Sequence, residues 1–401
     1  MKRIKTGRRA LLSALLILAL LLGLSACGGG SGSSGDGLEA DPQKRCAALS
    51  GLTYDHSMEL SYATQFAADY FKEGPCLLTV ADGRQYLVVP DGGALNGTDV
   101  PADITVLNAP VRDVYLAGSA SMDYFVHCGA LSSVAFSALR QADWKLPDAA
   151  AAMEDGAIRY AGKYSAPDYE LLTTGNCGLA VENTMIYHSP AIIEKLEELS
   201  VPVFIDCSSR EKTPEGRMEW VRLYGVLTGQ EKAAEKAFRA QEKEFRALEK
   251  EQTGRESDPP VVAFFSVKAN GTVTVRRSTD YIPYMIGLAG GQYLFEDLGA
   301  DEDSNRATET VSMETFYAAA KDADYFIYNS TIEGERQSIA QLLKDAPVLA
   351  DCKAVRDGNV YCTTADLYQN SMGQGTFVRD LWLMLNGEDD TGMTYLFRLA
   401  S

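Results

Sequence analysis

The chain has 401 residues, of which 46% are hydrophobic and 23% charged, and a formal net charge of −18 at pH 7. An acidic balance of that size excludes nucleic acid or anionic lipid as a partner held through bulk electrostatics. The length exceeds what one ordinary core accommodates and calls for two domains.

Residues 1–26 read as a secretory leader. Lys2, Arg3, Lys5, Arg8 and Arg9 occur without an acid, an apolar run covers Ala10 to Leu22, and Leu24-Ser25-Ala26 precedes Cys27. A Cys directly after Leu-Ser-Ala resembles the bacterial lipoprotein signal. That resemblance implies cleavage before Cys27, lipid on this residue, and a chain anchored on the extracytoplasmic face of the cell membrane. Gly28-Gly29-Gly30-Ser31-Gly32-Ser33-Ser34-Gly35 follows, so residues 27–45 are expected to be a flexible tether. Removal of the leader takes away five positive charges and brings the mature chain to −23. No later apolar run approaches the roughly 20 residues of a spanning helix.

Beyond the tether, Cys76-Leu77-Leu78-Thr79-Val80 and Tyr86-Leu87-Val88-Val89-Pro90 flank Asp82-Gly83 and predict a hairpin. From about residue 111 short apolar strands alternate with helical stretches, the pattern of a mainly parallel sheet with helices on its faces. Ligands of such sheets sit outside the carboxyl ends of the strands. Thr213-Pro214 predicts a helix start, and Gly229 separates that helix from a longer one, Gln230 to Gln252, ended by Gly254. Ala234, Phe238, Phe245 and Leu248 form a narrow apolar stripe on the longer helix, which suits a strut lying across two domains. The alternation then resumes with Val261-Val262-Ala263-Phe264-Phe265. The expected fold is α/β: two Rossmann-like αβ lobes, 46–229 and 255–401, joined by a single long helix at 230–254, with a ligand cleft between the lobes.

Eight cysteines are present, and lipid on Cys27 leaves seven. No C-x-x-C occurs, so these thiols are either free and buried or include one bridge; Cys352 and Cys362, flanking Asp357-Gly358-Asn359, are the nearest pair. His56, His127 and His188 stand at no metal-ligand spacing, so neither a metal site nor a cofactor is expected.

The layout resembles the substrate-binding lipoproteins of ABC importers, in particular the iron-siderophore, haem and vitamin B12 group, whose lobes are joined by one long helix. The residues that carry the resemblance are Ile186-Tyr187-His188-Ser189-Pro190, Lys195-Leu196-Glu197-Glu198-Leu199 and Val201-Pro202-Val203-Phe204-Ile205-Asp206. Ser208-Ser209, Glu211, Pro214, Gly216-Arg217 and Glu219-Trp220 follow, and then Ala289-Gly290-Gly291 and Asp357-Gly358-Asn359-Val360-Tyr361. The resemblance implies a monomeric protein that captures a small metal complex and delivers it to an ABC permease and its ATPase. It also implies one exposed docking glutamate on each lobe, at positions matched here by Glu170 and Glu314. An acid in a first helical turn is equally explained by the helix dipole.

No G-x-S-x-G, H-E-x-x-H or phosphate-loop pattern occurs, and the cleft Ser and Cys residues have no evident His partner. The chain is therefore expected to bind without catalysis; an extracytoplasmic enzyme or a ligand sensor on the same fold are the alternatives. Tyr124, Tyr187, Tyr281 and Tyr368 fall on expected cleft loops, where rings give contact area and hydroxyls orient a ligand. Arg276 and Arg277 are adjacent after a predicted strand in an acidic chain, and Arg217 lies near a helix start beside Ser208-Ser209. Guanidinium forks suit the oxygens of an anionic ligand. Together these favour a ferric siderophore, with haem or a corrinoid as the other ligands.

Overall fold

The computed structural model describes residues 38–401 apart from 96, 253–257, 301–305 and 389. The leader, Cys27 and Gly254 lie outside the described residues.

The first sheet is five-stranded, in order β1 (Tyr54–Ser57), β2 (Phe66–Phe71), β3 (Cys76–Val80), β4 (Gln85–Val89) and β5 (Ile104–Asn108). β3 and β4 are the antiparallel arms of the hairpin around Asp82-Gly83, while β5 returns parallel to β4. The sheet is larger than the hairpin read from sequence, because β1 and β5 carry few apolar residues and gain their register only from neighbours.

The second sheet is built from β6 (Val114–Leu116), β7 (Val134–Ser137), β8 (Arg159–Tyr160), β11 (Leu179–Asn183) and β12 (Val203–Asp206), all parallel, in order β12-β11-β6-β7-β8. A small ribbon of β9 (Gly162–Lys163) and β10 (Ala166–Pro167) stands beside it. Its apolar strands are buried on both faces, as a parallel sheet requires. Helices α1 (Met122–His127) and α2 (Tyr169–Thr174) belong to this lobe, and α3 (Pro214–Thr228) closes it.

α3 starts where Thr213 accepts a hydrogen bond from the Gly216 N–H at 3.1 Å and ends at Gly229, whose φ of +66° is the left-handed stop. Glu219 on α3 is fully buried and accepts the N–H groups of Ser61, Tyr62 and Ala63 at 2.8–2.9 Å, with Arg222 at 3.0 Å as counter-ion. Glu211 does the same for Thr64 and Gln65 and also takes the Trp220 indole N–H at 2.9 Å. These two carboxylates fix the segment leading into β2. Glu219→Ala leaves three N–H groups without their acceptor and Arg222 with Glu235 as its remaining carboxylate, which should cost about 2–3 kcal/mol, read as a lower urea midpoint. An unchanged midpoint would show that water takes over these donors.

The long helix α4 (Glu231–Gln252) buries Ala234, Phe238, Phe245 and Leu248. It approaches α3 so closely that a Cβ on Gly225 would stand 2.7 Å from the Ala234 Cβ. On its other flank it meets α7 (Gln374–Asn386) of the second lobe, where Gly375 faces Phe245. α4 is thus packed against both lobes.

The third sheet is seven-stranded: β13 (Val261–Val267), β14 (Val273–Arg276), β15 (Gln292–Tyr293), β16 (Thr308–Val311), β17 (Tyr325–Tyr328), β18 (Val360–Thr363) and β19 (Leu396–Arg398). β13, β15, β17 and β18 are parallel, and β14, β16 and β19 run against their neighbours. Helices α5 (Tyr281–Leu288) and α6 (Met313–Ala320) belong to this lobe together with α7. The molecule is an α/β protein of two sheet-and-helix lobes with one long helix between them.

All seven described cysteines are free and buried, Cys352 and Cys362 included. Burial pushes the thiols of Cys352 and Cys362 up to about 11, so both stay protonated at neutral pH. The bridge left open by the sequence is absent; both side chains pack in the apolar core of the second lobe instead.

Candidate functional site

Four of the side chains singled out in the sequence come together where the lobes meet. Arg217, in the first turn of α3, lays its guanidinium 4.0 Å over the ring of Tyr281, the first residue of α5 in the other lobe. Arg276, which ends β14 and so belongs to the strand, stands 5.8 Å from the same ring and 5.1 Å from that of Tyr368. Tyr124, on α1 and fully buried, donates its hydroxyl to the Arg217 carbonyl at 2.7 Å and stacks on Tyr224 with centroids 4.8 Å apart. It supports Arg217 from behind.

The charges explain this geometry. Arg276 Nε lies 2.9 Å from Asp280 Oδ1, an ion pair in which that N–H is not aimed at the carboxylate. Asp280 also caps α5 through the Ile282 N–H at 3.0 Å. Burial works against the Arg276 charge, but Asp280 and the flanking tyrosines hold it above the ordinary guanidinium value. Burial raises the phenols of Tyr281 and Tyr368, against the pull of the arginines, so both rings are neutral donors. Arg217 Nε and the Tyr368 hydroxyl are buried with no hydrogen-bond partner among the described residues. Two guanidinium groups, one carboxylate and unclaimed donors make a cluster with one excess positive charge that an anionic group can complete.

Arg277 goes elsewhere. It is fully buried, with Nη1 3.5 Å from Glu309 Oε1 and Nη2 donating to the Gly299 carbonyl at 3.3 Å. A Cβ on Gly299, at φ +78°, would overlap the Arg277 guanidinium. Adjacent residues at a strand end point to opposite faces, which sends the two arginines apart. Tyr187 and Ser209 form a separate group at the carboxyl ends of β11 and β12. The Tyr187 hydroxyl donates to Asp82 Oδ2 at 2.9 Å, and Ser209 Oγ lies 3.3 Å from Thr184 Oγ1. Glu170 and Glu314 are exposed, each in the first turn of its helix, α2 and α6.

The loop after β18 also ties the lobes together through residues that sequence reasoning missed. Met372 N–H donates to the buried Asp123 Oδ2 at 2.7 Å and Ser371 Oγ to the Ala120 carbonyl at 2.8 Å. Gln369 accepts the Lys145 N–H at 2.7 Å and donates to the Asp143 carbonyl at 3.0 Å. Asp123 sits in a first helical turn, where an acid signals nothing beyond the helix dipole.

The two-lobed α/β fold with a long intervening helix is shared with known proteins. The family model for periplasmic binding proteins matches residues 180–367. That segment, just under half of the chain, is similar to the periplasmic binding protein family. Two uncharacterized lipoproteins of Methanocaldococcus jannaschii are similar in sequence. One is 24% identical over 56% of this chain and 52% of its own length, the other 29% identical over 44% of each. The match therefore spans about half the length of these curated relatives. Among solved structures, a periplasmic heme-binding protein of Vibrio cholerae covers 68% of this chain and 99% of its own, at a TM-score of 0.54 and 18% identity. A structure described as an ABC-type Fe3+-hydroxamate transport system from Saccharomonospora viridis covers 68% of this chain and 94% of its own, at 0.52 and 16%. These likenesses extend the periplasmic binding protein fold over most of the described chain.

Proposed function

We propose that this chain is the extracytoplasmic substrate-binding component of an ABC importer. It captures an anionic iron chelate, a ferric siderophore first and haem or a corrinoid otherwise, and hands it unchanged to a permease and its ATPase. The single observation that carries the reading is the interlobe cluster of Arg217, Arg276, Tyr281 and Tyr368. It presents excess positive charge and unclaimed donors at the junction of two lobes in an acidic protein. The names of the structural neighbours, heme-binding and Fe3+-hydroxamate transport, support the ligand class. The lipoprotein relatives and the segment ending at Cys27 support a lipid anchor outside the cell membrane. The domain reading that goes with it is residues 46–229 and 255–401 as lobes and 230–254 as connector.

A ligand held by both lobes stabilises the folded state by an amount that grows with the logarithm of its concentration above the dissociation constant. The deciding experiment is a melting-shift screen of ferric siderophores, haem and cobalamin against the mature protein. One class should raise the melting temperature with saturation and be recovered unaltered; turnover of the ligand would instead mark an enzyme.

Glu170 and Glu314 are proposed as the docking pair for the permease. Replacing both by Ala should leave ligand affinity within about twofold, because surface charges distant from a site act weakly, while uptake through the cognate permease falls at least about tenfold. Reduced ligand affinity with intact uptake would refute that assignment.

A further inference from the structure

The solvent face of α4 is a cationic ridge. Lys232, Lys236, Arg239, Lys243, Arg246 and Lys250 follow one another at intervals of four and three residues, which places all six on one side of the helix. All six are exposed, and the buried stripe of Ala234, Phe238, Phe245 and Leu248 occupies the opposite side. At 1.5 Å per residue the ridge is about 27 Å long. Arg239 and Arg246 are paired with the buried Glu242 at 2.8 and 2.6 Å, and Arg239 also with Glu235 at 2.8 Å. Among the described residues Lys232, Lys236 and Lys243 have no carboxylate partner. At the far end Arg239, Glu242, Lys243, Arg246, Ala247 and Lys250 line an open concavity of ≈ 520 Å³.

We infer that this ridge is a contact surface for an anionic phospholipid bilayer, laid along the headgroups while the chain is tethered at Cys27. A straight row of cations without an apolar anchor matches a plane of phosphates and does not insert. The net charge of −23 in the mature chain does not oppose it, since charges more than about 10 Å from the contact are screened at 0.1 M salt. The acidic remainder instead orients the protein, because any other face is repelled by the same surface. The lipid-anchor reading supplies only what brings the chain to the membrane, and the test below does not use it.

The test is co-sedimentation of the mature chain carrying Cys27→Ser, free of lipid, with vesicles of phosphatidylcholine alone or mixed with phosphatidylglycerol. Binding is expected on the mixed vesicles only and should fall as salt is raised. Lys232→Glu, Lys236→Glu and Lys243→Glu together should lower it about hundredfold, given the contribution of each basic residue near an anionic surface. The melting temperature of this variant should stay unchanged, since all three side chains are exposed. Equal binding to neutral vesicles, or an unaltered triple variant, overturns the inference. Binding to soluble polyglutamate without binding to vesicles would assign the ridge to an acidic protein partner and overturn it as well.

Discussion

Arg217→Ala combined with Arg276→Lys is expected to weaken binding of an anionic ligand by about a thousandfold, measured by titration calorimetry with whichever chelate the melting screen selects. Charge-assisted hydrogen bonds are worth roughly 1.5–3 kcal/mol each, or about ten- to hundredfold in affinity per bond. Arg217→Ala removes the first-lobe guanidinium that reaches across to Tyr281. Arg276→Lys keeps a charge beside Asp280, so the buried carboxylate stays compensated, but it removes the planar fork. The two changes act on opposite lobes and meet at one ring, so their effects should fall short of additive. Arg277→Lys serves as the contrast: its guanidinium is committed to Glu309 and the Gly299 carbonyl, and the change should lower stability with little effect on affinity. Unchanged affinity in the double variant would remove the cluster as the ligand site.

The stability of the protein should decline between pH 5 and pH 8, and Glu182 should be the main cause. Glu182 is on β11, fully buried, with neither carboxyl oxygen hydrogen-bonded among the described residues. Burial pushes its pKa from 4.5 up to about 8. A group whose folded pKa lies above its unfolded one contributes stability in the protonated form. That contribution is complete below the unfolded value of 4.5 and is lost as pH rises through about 8. The loss is on the order of 4 kcal/mol across this window. In Glu182→Gln nothing ionises at this position, so urea midpoints from pH 5 to 8 should lie on a flatter line than those of the parent. Parallel lines for the two proteins would show that Glu182 is not the group responsible.

Several local elements were legible from the chain alone, because short-range chemistry decides them. The stripe of Ala234, Phe238, Phe245 and Leu248 has the helical period, and it is the face α4 buries. Thr213-Pro214 and Gly229 bound α3 because a side-chain acceptor, a preset φ and a left-handed stop act within one turn. The β3–β4 hairpin follows from Asp82-Gly83. The alternation of strand and helix implied parallel sheets, and the gathering of functional groups outside strand ends follows from that class of sheet.

What the sequence did not contain are relations between residues far apart in the chain. Arg276 and Arg277 are chemically equivalent neighbours, and only the pleat of β14 sends one to Tyr368 and the other to Glu309. Arg217 and Tyr281 are separated by the whole of α4 yet stack at 4.0 Å, because that helix packs against both lobes. Asp123 reads as an ordinary first-turn acid until the loop after β18 brings the Met372 N–H against it. The sequence alone determined the leader pattern, the charge, the helix faces and the strand alternation, all set by interactions within a few residues. The tertiary structure alone decided which arginine faces the lobe junction and which donors stay unclaimed there, since both depend on packing between segments that no local pattern encodes.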